Sequence, residues 1–156
     1  MKRRVFLSLP IVATTLACAK KDDAWLLIES VQEHLFPKTQ NYPSAKEFKA
    51  TRYLKIVAYY DSFDKDDLDF ILRGVEELQK SAYKTILTKD EKEKILQAFG
   101  QSRFGKNWLS LMINYTLEAL FSDPIYGGNK NEIGWKSFHH NAGIPRPKFR
   151  FGAKHG

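Results

Sequence analysis

Few residues in this chain are of the types that perform chemistry, and their spacing decides what they can do. His139-His140 is the most tempting pair. Adjacent side chains diverge in most backbone conformations, and no third ligand stands at a sensible distance along the chain, so a loop histidine bonded to a neighbour is the plainer account. His34 falls near the end of a helical pattern, where a histidine serves the helix dipole. Asp61, Asp64, Asp66, Asp67 and Asp69 lack the glycine and distal glutamate of a calcium loop and read as a solvated helix start. Cys18 is the single cysteine, which excludes an intramolecular disulfide and a cysteine metal cluster. No glycine-rich dinucleotide fingerprint, phosphate loop, His-Glu-x-x-His or nucleophile elbow occurs, nor the Cys-x-x-Cys-His of c-type haem attachment. The residues point to no catalytic, cofactor-binding or metal site in this chain.

Charge is informative by its position. The 156 residues carry a formal charge of +7, but Lys2, Arg3 and Arg4 lie at one end and Lys136, Arg146, Lys148, Arg150 and Lys154 at the other. No acid follows Glu132, and the stretch between the ends is close to neutral. The basic, aromatic tail has the chemistry of a nucleic-acid contact. An export signal argues against that partner and leaves an acidic protein surface or anionic lipid head groups. The signal is the N-terminus itself: a positive start, then an uncharged apolar run to Ala19, too short to span a bilayer as a helix. Arg3-Arg4-x-Phe6-Leu7 resembles a twin-arginine export motif, which implies passage through the twin-arginine translocase as a folded protein. Leu16-Ala17-Cys18 resembles a bacterial lipobox, with Thr15 where a branched aliphatic residue is usual. Residues 1–18 are therefore expected to be an export signal, with Cys18 a candidate for lipidation, and 19–156 the mature domain.

The elements that would carry any site are helical. Asp22-Asp23 and Pro37 bracket a first helix, and Ser44-Ala-Lys-Glu47 is a capping box expected to open a second that ends near Asp61. Asp64 to Asp67 start a third, reaching Ala82 and containing Gly74, whose cost implies close packing there. Thr88-Lys-Asp-Glu91 caps a fourth that stops at Gly100, and 101–106 is a turn. From Asn107 to Phe121 the polar residues Asn107, Ser110, Asn114 and Glu118 form one narrow stripe and nearly everything else is apolar. Such a helix is expected to be buried on most sides. No alternation of period two runs over a useful length. The expected fold is all-α: a single domain of about five helices around the buried helix near 107–121. A long irregular segment, 122–156, rich in glycine, proline and aromatic residues, follows it.

That segment holds a tension. Glycine and proline deny it regular structure, yet Phe121, Ile125, Tyr126, Ile133, Trp135, Phe138 and Ile144 give it too much apolar surface for a solvated linker. It must pack as a shaped loop against its own helices or a partner. Read as structure alone, Asp123-Pro124 ends the helix, Gly127-Gly128-Asn129 permits positive φ, and Tyr126 and Trp135 pack back on the core.

Asp123-Pro124-x-Tyr126-Gly127-Gly128-Asn129, Gly134-Trp135 and Pro145-Arg146-Pro147, placed after a long apolar helix, resemble the gluconate 2-dehydrogenase subunit 3 family. These are small subunits of membrane-associated flavin-dependent sugar and sugar-acid dehydrogenases. The resemblance implies an accessory chain without a cofactor of its own. It would partner a large FAD-bearing subunit, and in some complexes a cytochrome c subunit with haem c, at the periplasmic face of the membrane. In the family the small subunit supports export, maturation and stability of the large one. Tyr126, Trp135 and Arg146 are the expected interface contacts, aromatic and arginine groups being the usual anchors of binding energy. A Trp135→Ala chain is then expected to lose its flavoprotein partner while staying folded. The competing reading is a free-standing periplasmic lipoprotein that acts as a scaffold or binds a small ligand. An enzyme built on His139 or His140 is the remaining one.

Overall fold

The structure, a computed structural model, describes residues 12–149, with side chains described from Asp23 onward. Arg3, Arg4, Phe6 and Leu7 lie outside the described residues, as does the side chain of Cys18. Six α-helices occur in this range: α1 (Val12–Leu35), α2 (Ala50–Val57), α3 (Lys65–Lys80), α4 (Lys89–Phe99), α5 (Arg103–Phe121) and α6 (Ile133–Ser137). No strand forms among the described residues, and the all-α reading of the sequence holds.

α5 is the hub, packed against α1, α2, α3 and α6. Ile28, Val31, Leu54, Ile71, Leu78, Trp108 and Met112 are fully enclosed around it. The Trp108 indole N–H donates to the Ile71 carbonyl at 3.0 Å. Gly74 lies under that ring, where an added Cβ would come within 1.9 Å of Trp108 Nε1. The close packing expected at Gly74 is therefore the approach of α3 to Trp108. A buried polar tie also joins three helices: the Gln32 amide donates to Thr116 Oγ1 at 3.0 Å and accepts from Thr51 Oγ1 at 2.7 Å.

Several helix signals act as expected. Asp64 caps α3 by accepting from the Asp66 N–H at 2.9 Å. Thr88 and Glu91 make both bonds of a capping box at the start of α4.

Four expectations are corrected. α1 already runs through Asp22-Asp23 from the first described residue, Val12, because Ala17, Ala19, Lys20 and Lys21 favour helix and no breaker stands among them. The Ser44–Glu47 box forms, but its turn ends at Lys49, whose φ of 63° is left-handed, and α2 begins only at Ala50. In an unbroken helix residues 48 and 50 would point about 200° apart; the break lets Phe48 and Ala50 both turn inward onto Ala119 and Leu120. α3 stops at Lys80, and Ala82 adopts φ 61° so that Tyr83 folds back into the core. α5 begins at Arg103, within the expected turn, because the Ser102 hydroxyl accepts from the Gly105 N–H at 2.9 Å.

α5 is also less enclosed than its composition implies. Asn107, Ser110, Asn114 and Glu118 are exposed as expected. Ile113, Leu117 and Phe121, four residues apart, form a second exposed stripe that is apolar.

Candidate docking surface

The segment after α5 is held from within. Asp123 Oδ1 accepts from the Ile125 N–H at 3.0 Å, capping a 3-10 turn over Pro124–Tyr126. Gly127 then takes φ 93° and Asn129 φ 41°, as the Gly-Gly-Asn run permits. Gly128 serves a different need, since a Cβ there would meet the Ala119 carbonyl oxygen at 2.6 Å.

Asn129 is the pin of the loop. Its residue exposure is 0%. Its amide N–H donates to the Ser122 carbonyl at 3.0 Å, and its Oδ1 accepts from the Gly134 N–H at 2.8 Å. One side chain thus satisfies a free carbonyl just beyond the end of α5 and a free N–H in the first turn of α6. Asn131 and Glu132 follow with φ of 57° and 61°, turning the chain sharply into α6.

α6 brings Trp135 back under the end of α5. Trp135 is 6% exposed and its indole N–H donates to the Phe121 carbonyl at 2.7 Å. The Arg146 guanidinium covers the ring 4.4 Å from its centroid and pairs with Asp123 at 3.2 Å and Glu132 at 3.3 Å. Cation, ring and two carboxylates therefore tie the Pro145-Arg146-Pro147 stretch to the start of the loop. Pro145, in a cis peptide with Ile144, and Pro147 are themselves exposed. Tyr126 is half-buried. Of the three expected contacts, Trp135 is built into this chain's core and Arg146 is engaged within the chain, so a Trp135→Ala substitution acts on the fold of the loop as well as on any partner.

What faces outward is an aromatic ridge. Phe121 and Phe138 rings lie 5.0 Å apart, and Phe138 stacks on Tyr42 at 4.8 Å. The three residues are 45%, 44% and 45% exposed. With Ile113 and Leu117 they form a continuous apolar strip from the middle of α5 to the 38–43 loop. Tyr42 lies between α1 and the Ser44–Lys49 turn, just before Pro43. Nothing local signals that α6 will deliver Phe138 between it and Phe121.

The histidines take ordinary places. His34 Nε2 and Glu93 Oε2 are 2.7 Å apart, joining the last turn of α1 to α4, and the imidazole holds Glu93 below the usual carboxylate range. His140 packs edge-on against Trp135, and His139 is exposed. Asp67 accepts from the Tyr115 hydroxyl at 2.7 Å, which, after burial, is what raises the phenol's pKa. Burial, then the neighbouring Glu118, likewise raises that of Tyr53. Among the described residues no group of three or more His, Cys, Asp or Glu is arranged to hold a metal ion.

The geometry defines a class first: a small all-α body whose C-terminal loop is pinned by its own side chains and leaves an apolar ridge in solvent. The chain belongs to the gluconate 2-dehydrogenase subunit 3 family, whose model matches residues 22–141. The match includes α2 to α6 and the Asp123–Trp135 motifs, and ends before Pro145, Arg146 and Pro147. No curated protein and no solved structure matches the chain.

Proposed function

We propose that this chain is the non-catalytic small subunit of an exported flavin-dependent sugar or sugar-acid dehydrogenase. In this reading it supports export, maturation and stability of a large subunit that carries FAD, and a cytochrome c subunit with haem c can complete the complex. The family match over residues 22–141 carries the reading. The twin-arginine-like Arg3-Arg4-x-Phe6-Leu7 supports export of a folded pair to the periplasm, and Cys18 is the candidate site of a lipid that would keep it at the membrane. The large subunit is proposed to dock on the Tyr42–Phe138–Phe121 ridge and its extension along Ile113 and Leu117. Exposed aromatic groups of this kind are typical interface anchors. The motif residues Asp123 to Asn129, Gly134, Trp135 and Arg146 are proposed to shape that ridge from beneath.

The test is to express the large subunit with and without this chain and measure FAD and sugar-dependent dye reduction in the exported fraction. The reading expects both to depend on this chain, and to be lost when Arg3 and Arg4 are replaced by lysine. Equal flavin and activity without this chain would refute the supporting role. Unchanged export of the twin-lysine variant would refute the route. A colourless, partnerless lipoprotein would favour the free-standing alternative.

A further inference from the structure

Beyond Lys136, which borders the aromatic ridge beside Tyr42 and Phe138, three adjoining grooves cross the face made by the Ser44–Lys49 turn, the start of α2 and the motif loop. Lys46 and Lys49 line two of them, joined by Arg52 in one and by Lys130 and Lys136 in the other. In the third, Arg52, Lys130 and Lys148 stand around a floor of Ile56, Pro124 and Ile125. Because Arg52 and Lys130 are shared between neighbours, the grooves form one continuous basic surface.

The carboxylates on this face are already engaged. Glu29 lies 3.4 Å from Lys46, Glu47 pairs with Lys38, and Glu132 is shared between Arg146 and Lys136. Among the described residues Lys49, Arg52, Lys130 and Lys148 have no carboxylate partner. Phe149, 61% exposed, forms a wall of the third groove beside Lys148. The sequence beyond adds Arg150 and Lys154 and no acid.

Uncompensated positive charge calls for an anionic partner, and the residue types choose which. Protein interfaces favour arginine and are depleted in lysine. A fixed carboxylate or phosphate is best matched by the rigid arginine fork. Here every cation except Arg52 is a lysine, a flexible, strongly hydrated point charge suited to a fluid layer of head groups. An exposed aromatic ring among cations adds the apolar insertion that peripheral membrane contacts use. No helix among the described residues is long and apolar enough to cross a membrane, so such contact would be at the surface.

We propose that this face is a peripheral membrane-docking surface for anionic phospholipid. Lys49, Arg52, Lys130 and Lys148 meet head-group phosphates and Phe149 enters the interfacial layer. The inference stands apart from the assignment to a dehydrogenase complex, and its test needs no partner subunit.

The test is flotation of the full chain with vesicles of phosphatidylglycerol in phosphatidylcholine, against phosphatidylcholine alone. Each basic residue at an anionic surface contributes about fivefold to partitioning. Lys49→Gln, Lys130→Gln and Lys148→Gln together should therefore lower binding to the anionic vesicles on the order of a hundredfold. Lys65→Gln, Lys84→Gln and Lys106→Gln remove the same charge from exposed positions outside the grooves and should leave binding within a few fold of the parent. Circular dichroism of both triples checks that they remain folded, as exposed lysine-to-glutamine changes should. Equal binding to the two vesicle types, or equal losses in the two triples, would overturn the proposal. So would a groove triple that binds the anionic vesicles like the parent.

Discussion

Replacing Asn129 by alanine removes one side chain and two helix-end bonds. The Ser122 carbonyl and the Gly134 N–H lose their partners at a site where Asn129 has 0% exposure. A lost bond that leaves a buried group unsatisfied costs about 1–2 kcal/mol, so the pair is worth about 3 kcal/mol. Asn129 also holds φ 41°, which asparagine tolerates and alanine resists at about 1 kcal/mol. The expected total is about 4 kcal/mol, a large part of the roughly 5–15 kcal/mol that stabilises a typical domain. Urea unfolding followed by circular dichroism measures it. Asn129→Gly separates the two causes, since it loses both bonds but accepts the left-handed backbone, and should recover about 1 kcal/mol. A loss below about 1 kcal/mol for alanine, or no difference between alanine and glycine, would show that Asn129 does not pin the loop.

Further outcomes follow from the same contacts. Gly74→Ala should destabilise the chain by about 1–3 kcal/mol, despite alanine's higher helix propensity, because the methyl group collides with the enclosed Trp108 ring; an unchanged or higher urea midpoint would contradict the packing. Glu47, Glu91 and Glu93 are each held below their ordinary value near 4.5, by hydrogen bonds from Lys38, Thr88 and His34 respectively. Depressed carboxylates contribute stability that is present above that value and lost as pH falls through the folded values. The urea midpoint should therefore decline below about pH 4.5, and less steeply in Glu91→Gln, where one of the three no longer titrates. If the proposed large subunit docks on the ridge, Phe121→Ser with Phe138→Ser should leave a folded chain but weaken its retention by roughly thirtyfold or more, the effect of losing one anchor worth about 2 kcal/mol. Undiminished co-purification would move the interface elsewhere.

How much of this was legible in the sequence depended on the range of the interaction. Asp64 and the Thr88–Glu91 box act within four residues, and they mark the starts of α3 and α4 as read. Gly74 was visible as an anomaly whose cause, Trp108, lies far along the chain. The break at Lys49 was hidden, because the Ser44–Glu47 box is a true start signal, and only the demand to bury both Phe48 and Ala50 interrupts the helix. The apolar composition of α5 suggested burial on most sides, but it cannot distinguish a face covered by this chain from one left as the ridge of Ile113, Leu117 and Phe121. The Asp123–Trp135 motifs carried the resemblance to the family whose model matches residues 22–141. The roles within them were not legible, since Asn129 works through carbonyl and amide groups that the fold brings to it.

The central claim is that this helical chain serves as the accessory subunit of a flavin-dependent dehydrogenase. Affinity purification of the full chain from its native membranes, followed by an absorbance spectrum of the eluted material, tests it most directly. The account predicts a large partner, the absorption bands of bound flavin and sugar-dependent reduction of an electron acceptor. A colourless preparation that contains this chain alone and oxidises no sugar would contradict it.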